Sequence, residues 1–170
     1  MQTITTNVYT FDELNEKAKE KAREWVREFV GDYEWWYSIY SDAENIGLRI
    51  TSFDLDRNRH AEGEFMVFGG AEQVAGLIQK EHGKTCETYK TAEAYNKARA
   101  EIEKEYAHLS KEEDYDDAIG LCEEEFLHNL LEDYSILLQN EYEYMYTDEY
   151  IDDMIMANEY TFTETGTRFG

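Results

Sequence analysis

LRITSFDLDRNRHAEGEFMVF, residues 48–68, decides the fold class, because here the helical spacing of the preceding residues gives way to β-branched and aromatic residues. Leu48 to Leu55 and Glu62 to Phe68 read as strands, and Asp56, Arg57, Asn58, Arg59 and His60 supply the loop of a β-hairpin. Everything upstream and most of what lies downstream has helical periodicity, so the chain is expected to be α+β, with helices packed on a small antiparallel sheet.

Working upstream, Thr10 and Glu13 have capping-box spacing, and Tyr9 with Leu14 fits the hydrophobic staple. The helix they open is expected to run to about Val30, burying Leu14, Ala18, Ala22, Trp25, Val26 and Phe29. Gly31 is read as its stop and Asp32 as the cap of a second helix through Ile46, the two forming a helical hairpin. Downstream, Gly69 and Gly70 lead to a short helix through about Glu81, with Val74, Leu77 and Ile78 inward and Gly83 as C-cap. A longer helix is expected from Thr91 to Leu109, with Tyr95, Ala98, Ile102, Tyr106 and Leu109 inward, before a second capping box at Ser110 and Glu113. The helix carrying Ile119, Cys122, Phe126, Leu130, Tyr134 and Leu137 should stop near Asn140. Thr147 should cap another, holding Ile151, Met154 and Ile155, and Tyr160 to Phe169 should form a strand or small hairpin on the sheet, turning at Glu164, Thr165 and Gly166. The organisation expected is one domain over 1–170, with 1–83 as scaffold and 84–170 as an acidic helical part with a C-terminal strand.

Composition bounds what such a fold does. The 170 residues hold 39 Asp or Glu against 16 Lys or Arg, a formal net charge of −23, yet 42% are apolar and 15% aromatic, too rich in buriable surface for a disordered chain. Affinity for nucleic acid comes from Lys and Arg on phosphates, so direct binding to DNA, RNA or anionic membranes is excluded. No apolar run approaches the ~18 residues of a membrane span, and MQTITTNVYTF lacks the features of a signal peptide, so the expected setting is cytoplasmic. Cys86 and Cys122 have neither CxxC nor metal-ligand spacing and are expected to be reduced structural thiols. There is no proline, where usage near 5% would give roughly eight, so helices can run long.

The charge is polarised. Residues 1–100 hold 18 acids and 13 bases, net −5, whereas residues 101–170 hold 21 acids and 3 bases, net −18. From Glu112 to Asp153 there are 16 acids and no Lys or Arg. They comprise the run Glu112, Glu113, Asp114, Asp116 and Asp117, the triplet Glu123, Glu124 and Glu125, then Glu132 and Asp133, Glu141 and Glu143, and finally Asp148, Glu149, Asp152 and Asp153. Nothing nearby in sequence neutralises them. Folded as two antiparallel helical pieces, these 42 residues would cover roughly 32 Å, about one charge per 2 Å, against one per ~1.7 Å for duplex DNA. Solvated helix surface and halophilic adaptation are the plainer readings, but solubility needs a net charge of only ~2 to 8. Tyr142, Tyr144, Tyr146 and Tyr150 interleave with the last acids, giving anchors of the kind that dominate interfaces, although helical spacing also places two of the four in the core.

Catalytic signals are few. Glu105 with His108 and Glu125 with His128 have the Glu-x-x-His spacing of di-metal helical bundles, an alternative that needs further inward carboxylates, and surface histidines are the preferred reading. Gly83, Lys84 and Thr85 lack the earlier glycine of a phosphate loop, that position being Ile78. Asp54, Asp56 and Asn58 begin a calcium-loop pattern that fails at Arg59 and Phe65. No catalytic residue, metal site or cofactor is expected.

The stretches YTFDELNEKAKEKA (9–22), EWWYSIYSDAENIGLRITSFDLDR (34–57), HGKTCETY (82–89) and ANEYTFTETGTRF (157–169) resemble small acidic bacteriophage and prophage proteins described as antitoxin-like. That resemblance implies a host-cytoplasm setting and brings no catalytic residues. In composition alone the chain is similar to the DNA-mimic antirestriction proteins of phages and plasmids. The resulting expectation is a phage-encoded, non-enzymatic inhibitor of a basic, nucleic-acid-binding host defence protein of restriction or CRISPR type. Homodimerisation is left open. The alternatives are an antitoxin-type protein that neutralises a basic toxin and a metal-binding enzyme.

Overall fold

The computed structural model of the chain describes residues 6–66, 69–108 and 112–170, with the side chains of 112 and 113 outside that description. The elements run β1 (Tyr9–Thr10), α1 (Glu16–Arg27), α2 (Tyr37–Asn45), β2 (Leu48–Asp54), β3 (His60–Phe65), α3 (Gly70–Glu81), α4 (Glu87–Tyr106), α5 (Glu112–Met145), α6 (Asp148–Ala157) and β4 (Thr161–Phe162). The fold is α+β, as the residue pattern implies. By compactness the chain divides into two units, one of Met1–Trp35 with Asn140–Gly170 and one of Trp36–Gln139.

In the second unit, β2 and β3 pair antiparallel from Leu48↔Phe65 to Asp54↔His60, with a bulge between Ile50 and Ser52. Gly63 sits opposite that bulge, where an added Cβ would lie 2.4 Å from the Arg49 carbonyl oxygen. His60, expected in the loop, is the first residue of β3; the expected end of that strand at Val67 and Phe68 lies outside the described residues. Ile46, Leu48, Val74, Ile78, Leu130 and Tyr134 are fully buried around the hairpin, and Tyr95 of α4 stacks on Phe126 of α5 at 4.4 Å. Three expectations are corrected here. The residue after α3 is His82 in extended backbone, so Gly83 is not the left-handed C-cap. The α4 helix begins four residues early, at Glu87, and buries Thr88, Ala92 and Tyr95. The inward residue near the end of the α5 stripe is Leu138, while Leu137 is exposed, because a 3.6-residue period drifts off a fixed stripe over so long a helix. Leu109 and the Ser110 and Glu113 capping box lie outside the described residues and side chains.

The other unit begins with a restart. A 3₁₀ turn at Phe11–Glu13 follows Thr10, whose N–H donates to the Glu13 carboxylate at 2.8 Å, and then Asn15 caps α1 by accepting the Ala18 N–H at 3.0 Å. The single expected helix from Thr10 to Val30 is therefore a turn plus a helix that ends at Arg27. Asp32 is not the cap of the second helix: α2 starts at Tyr37 and packs on β2 in its unit, and α1 packs on α6 in the other. Thr147 caps α6 as expected, through the Tyr150 N–H at 3.3 Å, and Ile151 and Ile155 are buried. The tail does turn back on itself as a small hairpin, Phe162 bridging Arg168, but it does not join the β2–β3 sheet: β4 pairs with β1, Tyr9↔Phe162 and Thr10↔Thr161, as a second two-stranded sheet. Its following turn lays Gly166, at φ +81°, against α1, where an added Cβ would stand 2.0 Å from the Ala18 carbonyl oxygen.

Candidate acidic interface

The acidic run that opens α5 has a local cause as well as a potential use. Glu112, Glu113, Asp114, Asp116 and Asp117 occupy the first six residues of the helix, where negative charge complements the unpaired N–H groups and the positive end of the macrodipole. Asp114, Asp116, Asp117, Glu124 and Glu125 are exposed. Among the described residues no ion pair involves Asp116, Asp117, Glu124 or Glu125.

Other members of the expected interface are engaged within the fold, by arginines distant in sequence. Arg99 of α4 reaches Glu123 at 3.7 Å while also bonding Glu72, Glu103 and the Tyr95 hydroxyl. Arg59, from the hairpin loop, pairs with Glu132 and donates to the buried Ser135 hydroxyl at 3.1 Å. Asp133 is half-buried, accepts the Thr91 hydroxyl at 2.6 Å, and is held above the usual carboxylate range by burial. In the other unit, Arg23 grips Asp152 with a two-pronged guanidinium at 2.7 and 2.8 Å, and Arg27 pairs with Asp148. Glu149 and Asp153 of α6 are exposed.

The spacing of charge also changes. Acids 112–133 share one continuous helix in one unit, and Glu141, Glu143, Asp148, Glu149, Asp152 and Asp153 belong to the other. The 28 helical residues 112–139 carry ten acids over ~42 Å, about one per 4 Å. This is half the expected density, because residues 112–139 lie in one unbroken helix rather than in two pieces side by side. It corresponds to one strand of nucleic acid, with a phosphate every ~3.4 Å, rather than to a duplex.

The tyrosine-rich segment forms a surface of its own. None of Tyr142, Tyr144, Tyr146 and Tyr150 is fully buried; Met145 takes the inward position instead. Tyr144 meets Tyr150 edge-on at 5.4 Å, Tyr142 meets Tyr146 at 5.0 Å, and Trp35 lies 5.6 Å from Tyr142. The Tyr33 hydroxyl bonds that of Tyr150, and Gly31 leaves room for the Tyr146 hydroxyl, which lies 2.8 Å from where a Cβ would be. Tyr33 and Trp35 are additions the sequence reading missed. Their signal is present in EFVGDYEW (28–35), which repeats the mixture of acids and aromatics without Lys or Arg.

His108, past the end of α4, and His128 are exposed, and among the described residues no group of three or more His, Cys, Asp or Glu is arranged to hold a metal ion. A groove of about 540 Å³ between α4 and α5 is lined by Thr91, Tyr95, Cys122, Glu125, Asn129 and Asp133, among others; burial and the nearby Glu125 push the Cys122 thiol up. In the same unit a polar chain links α2, α4 and α5: the Tyr134 hydroxyl donates to Asp42 at 2.8 Å, Asp42 lies 3.6 Å from His82, and His82 lies 2.7 Å from the Thr88 hydroxyl. Cys86 is exposed and both thiols are free. No helix among the described residues is long and apolar enough to cross a membrane. Comparison with known proteins found no matching family model, curated protein or solved structure.

Proposed function

We propose that this chain is a non-enzymatic inhibitor that occupies the nucleic-acid-binding groove of a basic partner, setting carboxylates where phosphates would lie. The observation that carries the reading is the exposed set Asp116, Asp117, Glu124 and Glu125, which make no ion pair among the described residues, on a helix whose charge spacing is close to that of one nucleic-acid strand. A rigid helix fixes these charges before binding, so little ordering entropy is lost when a basic groove receives them. The partner in this reading is a host nuclease of restriction or CRISPR type that grips a single-stranded or locally opened substrate, met in the host cytoplasm by a phage protein.

The test is capture of the partner from host lysate, followed by release with single-stranded DNA, duplex DNA or salt. Single-stranded DNA should displace the partner best, and raising salt from about 0.1 to 0.5 M should weaken binding steeply. A partner that holds on equally at both salts, or that binds this protein and DNA together, overturns the reading. A second reading, neutralisation of a basic toxin by a shape-matched surface, draws on the exposed tyrosines. It predicts binding that survives salt and is lost when single aromatic residues are replaced.

A further inference from the structure

We infer that the tyrosine surface built from residues 28–35 and 140–150 receives arginine side chains of the partner; this rests on the reading of the protein as a binder of a basic protein, and it adds the chemistry of the anchor. Both segments lack Lys and Arg and together carry Glu28, Asp32, Glu34, Glu141, Glu143, Asp148 and Glu149. Tyr33, Tyr142 and Tyr144 remain 42%, 39% and 44% exposed although their rings are fixed by aromatic neighbours and by the Tyr33–Tyr150 hydroxyl bond. Fixed, accessible phenol faces edged by carboxylates attract a cation through the ring quadrupole and through charge-assisted hydrogen bonds.

The same unit supplies an internal comparison. Three of its other aromatic rings are covered by the chain's own cations: Lys19 and Arg23 lie over Phe11 at 5.5 and 5.7 Å, and Arg168 lies over Trp25 at 5.7 Å and Tyr160 at 4.8 Å. Among the described residues no such cation covers Tyr33, Tyr142, Tyr144 or Tyr150. The pairing that Phe11, Trp25 and Tyr160 make internally is therefore available here to another molecule. A planar guanidinium stacks on a ring while forking to a carboxylate, which an ammonium does not, so arginine is the ligand this surface selects over lysine.

The experiment uses the full chain and two short peptides of equal charge, one alternating arginine with glycine and one alternating lysine with glycine. Binding is measured at about 0.3 M salt, where the Debye length is short enough to suppress distant charges. The arginine peptide should bind roughly fivefold or more tighter than the lysine peptide. Tyr33→Leu with Tyr144→Leu, which leaves the charge unchanged, should weaken the arginine peptide by roughly tenfold, and Tyr144→Phe, which keeps the ring, should stay within about twofold. Equal binding of the two peptides, wild-type binding by the leucine variant, damage by Tyr144→Phe as great as by leucine, or leucine substitution that changes only the oligomeric state would each overturn the inference. If the arginine peptide binds as expected while DNA fails to displace the captured partner, the mimic reading falls and this one stands.

Discussion

Asp148 and Asp152 on α6 and Asp116 and Asp117 on α5 are the same residue in the same kind of early helical position, yet the fold uses them in opposite ways. The α6 pair is held by Arg27 and Arg23 of α1, one through a bidentate contact at 2.7 and 2.8 Å, and so fastens two helices. The α5 pair projects from the first turns of its helix with no ion pair among the described residues. The net charge of −23 is thus a sum over two populations, one spent on internal structure and one left facing outward. The total says nothing about which acid belongs to which; the position of four arginines does.

Neutralising the outward set gives the largest effect. Asp116→Asn, Asp117→Asn, Glu124→Gln and Glu125→Gln together should weaken the captured partner at least about tenfold at physiological salt and flatten the log–log salt dependence by up to ~3, the value for four lost charges on a strand-like site. Thermal unfolding should be nearly unchanged. Equal losses of stability and binding would erase the distinction between the two populations.

Next in size is the inward pair. Asp152→Asn should lower stability by about 2 kcal/mol, since it removes a partly shielded charge-assisted contact, and denaturant unfolding checks it. Binding to the partner, measured on the folded fraction, should hold. The same network gives a pH signature. Hydrogen bonding from Arg27 holds the Glu20 carboxyl below its ordinary range, so its stabilisation is present above the unfolded value near ~4.3 and is lost as pH falls through the lower folded value.

The smallest effect has the opposite sign. Burial raises the Asp133 carboxyl, so the folded chain binds that proton more tightly than the unfolded chain and its charge opposes folding at neutral pH. Asp133→Asn keeps an acceptor for the Thr91 hydroxyl and should raise the unfolding midpoint slightly at pH 7, with the gain vanishing below the unfolded Asp value of ~3.9. A loss at pH 7 would place Asp133 with the structural acids.

What was legible in the chain was local. The β-branched run at 48–54, Thr147 with its capped helix and the α3 stripe of Val74 and Ile78 follow from neighbours within a few residues, and each formed where its pattern lies. The one helix expected from Thr10 passes over Asn15, the cap that α1 uses, because a capping-box spacing at Thr10 does not tell whether the turn it opens continues. The end of α5 at Met145 is set by the buried position of that methionine and the next cap, not by Asn140. The candidate interface was legible as composition but not as geometry. Arg23 is 129 residues from Asp152, Arg59 is 73 from Glu132, and Tyr33 is 117 from Tyr150, separations at which no periodicity connects partners.

Gly166 carries a consequence for any mutational map of this protein. Its Cα rests on the α1 backbone at Ala18, so even a methyl group there must push the closing turn off the helix. A phenotypic screen for binding will score Gly166→Ala as a loss as deep as any contact residue, although no ligand need touch it. Variants at this position belong on the denominator of such a map, as a calibration of how much signal comes from folding alone.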